Sequence, residues 1–162
     1  MRFAFLVPDP DYPEEWEWAF DAEADALRAR GHTVDPVPWT GTGDLRGYDL
    51  VLPLVVWGYH LQYADWLRFL DGVEAERLPI VNPARLLRWN SDKAYLNELA
   101  AKGIPTVDTV EVEQLSEGDL VKAAQLFGTE ELVVKPPVSA SATGTHRIRD
   151  AILFQPPNAA SE

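Results

Sequence analysis

Apolar positions along the chain fall into short runs separated by longer amphipathic stretches. "FAFLVP" (3–8) has the pattern of a short apolar strand closed by Pro8. "PEEWEWAFDAEADALRARG" (13–31) changes period and predicts a helix, with Trp16, Phe20, Ala24 and Leu27 on one face. Pro13 suits its first turn and Gly31 its C-terminal stop. Its charges match the helix dipole, with Glu14, Glu15 and Glu17 early and Arg28 and Arg30 late. "HTVDPVPW" (32–39) is a second, proline-marked strand, and "YDLVLPLVV" (48–56) a third. "WGYH" (57–60) and a helix over 61–72 follow, then a fourth strand, "LPIVN" (78–82). Strands alternating with helices at this spacing predict an α/β fold with a mainly parallel sheet and helices on its faces.

From residue 90 the character changes. "NSDKAYLNELAAKG" (90–103) predicts a helix with Ser91 as N-cap and Gly103 as stop. Residues 104–112 read as extended, 116–128 as a short helix, and "EELVVKPP" (130–137) as a strand. The expected organisation is a parallel-sheet domain over 1–89 and a smaller α+β lobe over 90–162. There is no internal repeat and no low-complexity tract.

The last strand ends in the most unusual stretch of the chain. In "LVVKP" the two-residue period puts Val133 and Lys135 on one face, Leu132 and Val134 on the other. Pro136 and Pro137 remove two backbone donors and stop the strand. Ser139, Ala140, Ser141, Ala142, Thr143, Gly144 and Thr145 follow, all small enough for backbone N–H groups to approach a ligand closely. Such loops cradle phosphates, with a nearby lysine supplying charge. The alternative is a solvated hairpin whose edge lysine deters aggregation. Lys93 weighs toward the phosphate reading. It sits in the first turn of the 90–103 helix, where the dipole disfavours a cation unless an anion docks at the same end. Paired only with Asp92, it would be an ordinary surface lysine.

Composition narrows the choices. Lys and Arg number 14 against 26 Asp and Glu, a net charge of −12, which argues against a nucleic-acid partner. In so acidic a chain a small anion must be drawn in by positioned cations. With no cysteine, disulfides, thiolate catalysis and Cys-based zinc sites are excluded. His32, His60 and His146 have no metal-ligand spacing. No apolar run approaches the length of a membrane span and the N-terminus lacks a signal-peptide pattern, so the expectation is a cytoplasmic protein with no membrane partner. Hydrophobic residues, 46% of the chain, suffice for a packed core. Trp57, Tyr59 and His60 follow a strand at the carboxyl edge of the sheet, where open α/β folds bind ligands. They are candidate substrate contacts, or aromatic packing under the next helix.

"VNPARLLRWNSDKAYLNELAAKGIPTVDT" followed by "ELVVKPPVSASATGTHRI" resembles the front half of an ATP-grasp enzyme of the glutathione-synthetase-like group. The resemblance implies a Rossmann-like pre-ATP-grasp domain followed by the first ATP-grasp lobe, with the larger C-terminal lobe absent or incomplete. It implies ATP held by Lys93 and Lys135, with a flexible loop including Ser139, Ala140, Ser141 and Gly144 closing over the phosphates. In "AILFQPPNAASE", Gln155 would contact adenine, although the helix that precedes this strand in relatives is replaced by "RIRD". The activity implied is ATP-dependent ligation: a carboxylate substrate is phosphorylated to an acyl phosphate, which an amine or thiol then attacks. Magnesium would be held by carboxylates outside this chain, so the 162 residues alone are expected not to turn over ATP. No residue is assigned a catalytic role, and a homodimer is compatible with the sequence. Two other readings compete: a non-catalytic nucleotide- or metabolite-binding module, and an interaction domain recruiting a partner through the acidic helix at 13–30.

Overall fold

A computed structural model describes residues 1–41 and 43–151 of the chain. They divide into two compact units, one up to Asp92 and one from Lys93 onward.

The first unit is built around β1 (Arg2–Val7), five of whose six residues are buried. Burial on both faces is what its unbroken apolar run demands. It lies between β2 (Thr33–Pro38) and β3 (Leu50–Leu52), in the order β2-β1-β3, and both pairings are parallel. Phe3 stands opposite Val34 on one side and Leu50 on the other. Pro36 and Pro38 are accommodated because β2 is an edge strand, where a missing donor breaks no second ladder.

The two faces of β1 feed separate halves of the core. Phe3, Phe5 and Val7 pack with Phe20 and Ala24 of α1 (Glu17–Arg28). Ala4 and Leu6 pack with Trp66, Leu70 and Val73 of α2 (Tyr63–Ala75). The result is a three-layer α/β/α arrangement. Trp66, 1% exposed, is the largest fully buried side chain. Its indole N–H donates to Ser91 Oγ at 2.8 Å, so the polar edge of the ring keeps a partner inside the core.

Several elements differ from their expected form. Helix α1 begins at Glu17, with Trp16 at its N-cap position, so Pro13 lies outside the first turn. The third strand stops at Leu52 rather than running to 56, because Pro53 has no N–H to continue the ladder. The fourth strand contracts to a single parallel bridge, Val51 to Ile80. Pro79 and Pro83 bracket it, and Asn82 turns left-handed with φ 61. A helix absent from the sequence reading, α3 (Ala84–Ser91), spans the expected 89/90 boundary.

In the second unit, α4 (Tyr95–Ala101) is seven residues long and ends before Gly103, whose φ of 75 breaks the helical run. Residues 104–112 pair with no strand among the described residues. Helix α5 (Glu117–Phe127) has a complete capping box. Ser116 Oγ accepts from the Asp119 N–H, and the Asp119 carboxylate accepts from the Ser116 N–H. Gly128 closes its C-terminus at φ 64. Leu120 and Ala124 of this helix pack on Leu132 of β4 (Leu132–Val134) and on Ala151. β4 pairs antiparallel with β5 (His146–Ile148), Val133 opposite Arg147. No helix among the described residues is long and apolar enough to cross a membrane.

Candidate functional site

The small-residue stretch is the connection between β4 and β5. Leu132 is buried and Val133 is 57% exposed, so the alternation aims Lys135 outward with Val133. Lys135 is exposed and takes part in no hydrogen bond or ion pair among the described residues. Two tight turns then fold the connection back. The Thr143 N–H donates to Ala140 O and the Thr145 N–H to Ala142 O, both at 2.9 Å.

The loop's backbone is unusual. Ser141 (φ 50) and Ala142 (φ 59) both adopt the left-handed region without being glycine, and Gly144 (φ 66) follows. A left-handed residue that carries a Cβ costs about 1–2 kcal/mol, so two in succession hold the loop in a conformation no local preference favours. Gly144 has a second constraint. A Cβ there would stand 2.7 Å from Pro136 Cγ, so this glycine allows the end of the loop to lie against its beginning.

Lys93 meets this loop twice. Its backbone N–H donates to Pro137 O at 2.9 Å. Its ammonium donates to Ser139 O at 2.9 Å and to Ser139 Oγ at 2.7 Å. Ser139 is only 9% exposed, so this bond is a partly buried one. Two segments 46 residues apart are therefore joined at one point. Lys135 is two residues from Pro137, within about 7 Å of chain. At the base of the hairpin, Arg147 donates to Glu131 at 2.6 Å, which holds the Glu131 carboxyl below its ordinary value through that hydrogen bond first and the charge second.

Ser91 is not the N-cap of a helix over 90–103. It ends α3, where its hydroxyl donates to Leu87 O at 2.6 Å and accepts from Trp66. Lys93 precedes α4 rather than occupying its first turn, and Ala94 is the N-cap residue. The lysine is positioned by Pro137 and Ser139, not by a helix end.

The three aromatic candidates divide. Trp57 lines a cavity of about 90 Å³, and its carbonyl accepts from the Trp39 indole N–H at 3.2 Å. Tyr59 packs on Trp66, ring centroids 5.9 Å apart, and stands edge-on to His60 at the same distance, so it belongs to the core beneath α2. Ala140 and Ser141 lie in the loop, partly buried and exposed respectively. Gln155 lies outside the described residues. The same cavity is lined by two residues not singled out in the sequence, Asp9 and Gln62; the signal for Asp9 was position, two residues beyond the carboxyl end of β1. A larger cavity, about 460 Å³ above Leu6, Phe69 and Val73, touches none of the residues singled out in the sequence.

Residues 5–82 match the family model of the N-terminal domain of D-cycloserine synthetase DcsG. The cycloserine biosynthesis protein DcsG of Streptomyces lavendulae is 32% identical over 118 residues, covering 69% of this chain and 38% of that protein. The crystal structure of D-cycloserine synthetase DcsG superimposes with a TM-score of 0.78 at 24% identity, over 94% of this chain and 52% of that one. An ATP-grasp RimK domain protein from Sphaerobacter thermophilus gives 0.60 at 21% identity, over 93% and 54%. The chain has the fold of the N-terminal half of an ATP-grasp protein. It spans about half the length of those solved structures and 38% of the curated relative. Residues 5–82 are thus similar to the N-terminal domain of DcsG, and the lysine-bearing loop lies beyond that match.

Proposed function

We propose that the chain is the nucleotide-binding front part of an ATP-dependent carboxylate–amine or carboxylate–thiol ligase. The observation that carries this reading is the bond from the Lys93 ammonium to Ser139, which seats one cation on the small-residue loop that follows the other. ATP is the ligand, and a small carboxylate is the substrate it activates.

Transfer of a γ-phosphoryl group demands positioning and charge neutralisation more than a protein nucleophile. Lys93 and Lys135 are assigned to the α- and β-phosphates, and the N–H groups of the loop containing Ser139, Ala140, Ser141 and Gly144 to the β- and γ-phosphates. The carboxylate oxygen then attacks the γ-phosphorus and ADP leaves. The acyl phosphate formed gives an amide or thioester when the amine or thiol attacks its carbonyl and phosphate departs. Gln155 keeps its place as a proposed adenine contact, and Trp57, Tyr59 and His60 theirs as proposed substrate contacts, with Trp57 the best placed because it borders a cavity.

Magnesium is the ion such a reaction uses. Among the described residues no group of three or more His, Asp or Glu side chains is arranged to hold a metal, so no residue is assigned to it.

Titration calorimetry with Mg·ATP tests the clamp. Lys135→Ala should weaken binding at least tenfold, about 1.4 kcal/mol, with little change in stability, because the side chain is exposed. Equal affinity in Lys135→Ala and the parent chain overturns the assignment. Lys93→Ala should weaken binding as well, and also loosen the loop that the ammonium holds.

A further inference from the structure

The two lysines of the second unit differ in what they already hold. Lys135 is exposed and takes part in no hydrogen bond or ion pair among the described residues, so its ammonium meets an anion without giving up a protein partner. Lys93 donates twice to Ser139, to the main-chain oxygen at 2.9 Å and to Oγ at 2.7 Å. Ser139 is 9% exposed, and a bond so shielded from water is stronger than the same bond at the surface. The Lys93 ammonium must leave these acceptors to reach anything else with the same N–H groups.

The bond restrains a strained segment. Two residues beyond Ser139 the backbone turns left-handed at Ser141 (φ 50) and stays so at Ala142 (φ 59). Both carry a Cβ, and Ala142 has no polar side chain to offset the cost by a local hydrogen bond. The turns that follow are closed by the Thr143 N–H on Ala140 O and the Thr145 N–H on Ala142 O. A conformation that local preference opposes persists only where its surroundings hold it. Here Lys93 holds the leading end of the loop and Gly144, against Pro136, its trailing end.

A phosphate oxygen is a better acceptor for an ammonium than a carbonyl or a hydroxyl, because both partners are then charged. A polyphosphate therefore competes with Ser139 for the same donors. When it wins, the loop loses the restraint at its leading end.

We propose that the Lys93–Ser139 bond is a latch of the nucleotide-free state: Ser139 keeps the Lys93 ammonium until a polyphosphate takes it, and the exchange frees the Ser141–Ala142 turn to rearrange. The latch rests on the nucleotide reading and adds an order to it. Lys135 makes the first contact with the phosphates, and Lys93 follows by exchange.

The test has a nucleotide-free arm and a nucleotide arm, both on the 162-residue chain. In the first, amide hydrogen exchange read by NMR compares the parent with Lys93→Met, which removes the ammonium and keeps the backbone N–H bonded to Pro137. The Thr143 and Thr145 amides should exchange about tenfold faster, while those of α5 stay as they are. In the second, calorimetry with Mg·ATP compares the parent with Ser139→Ala, which removes the Oγ acceptor and leaves the main-chain one. Weakening the latched form raises the fraction ready to bind, so the Kd should fall about threefold. A serine that served only to aim the ammonium at phosphate would give the opposite sign. Unchanged exchange of Thr143 and Thr145 in Lys93→Met overturns the latch whether or not ATP binds, and so does an equal or higher Kd in Ser139→Ala. Faster exchange in Lys93→Met together with no Mg·ATP binding by the parent overturns the nucleotide reading, and the exchange step with it.

Discussion

Gly144 and Gly103 share a left-handed backbone and differ in their surroundings, which separates two costs of adding a methyl group. At Gly103 (φ 75) a Cβ meets nothing within 4 Å, so Gly103→Ala carries only the backbone term, about 1 kcal/mol. At Gly144 the same term is joined by a contact of 2.7 Å with the ring of Pro136, which is braced by its own fixed φ. Gly144→Ala should therefore lower stability by about 2–3 kcal/mol, visible as a lower urea midpoint at unchanged slope. Equal losses at the two positions would show that Pro136 yields freely and that the loop's closure is not tight. Asp9 gives a second residue-scale expectation. Its carboxyl is held below the ordinary Asp value by the Thr40 hydroxyl first and by the Asp11 N–H next. A depressed folded-state pKa contributes stability above the unfolded value, and that contribution is lost as pH falls through the folded one. Thr40→Val should thus move the Asp9 titration upward in an NMR pH series, toward the ordinary range near pH 4. At this scale the sequence carried residue identity well and position poorly. Lys93 and Ser139 were both visible from chemistry, whereas their mutual bond depends on a fold-back that no local pattern encodes. Ser91 was misplaced for a related reason. A serine before a helix and a serine ending one look alike until its hydroxyl is seen bonded to the carbonyl four residues earlier.

Elements with their own punctuation were legible. α5 carries Ser116, Asp119 and Gly128 at the cap positions and forms between those signals. Ser116→Ala removes the acceptor for the Asp119 N–H and should cost about 1 kcal/mol, read by thermal or urea unfolding, with the α5 amides exchanging faster than those of α2. If exchange in α5 stays unchanged, the cap is not what holds the first turn. β1 was legible for another reason: five consecutive apolar residues have no amphipathic solution except burial on both faces. Elements interrupted by proline were overextended: the apolar pattern continues past Pro53 while the strand does not, and between Pro79 and Pro83 only the single bridge at Ile80 forms. The missed helix α3 had a usable signal in "PARLLRW", a proline at the N-cap followed by leucines and a tryptophan at helical spacing.

At the scale of the whole molecule, each unit has buried apolar clusters of its own among the described residues. The two clusters around β1 draw only on residues before the division at residue 92, and the third, around Leu120 and Leu132, only on residues after it. All six tryptophans, at positions 16, 18, 39, 57, 66 and 89, lie in the first unit. Tryptophan fluorescence is therefore a selective reporter of that unit, while far-UV circular dichroism sees both. Among the described residues, the second unit has the smaller core, four buried apolar residues with a short hairpin and one well-capped helix, a size at which stability is marginal without a ligand. The expected urea profile has two components, a dichroism loss at low denaturant with little fluorescence change, then a joint transition as the β1 core opens. A ligand that binds only the folded second unit raises its stability by about 2.7 kcal/mol at a hundred times Kd. Under the nucleotide reading, saturating Mg·ATP should move the early dichroism component to higher urea and leave the fluorescence midpoint in place. In Lys135→Ala the early component should stay where it is without nucleotide. A fluorescence midpoint that rises in step with the dichroism would mean that ATP draws its binding energy from the tryptophan-bearing unit, and the loop between β4 and β5 would lose its claim to the phosphates.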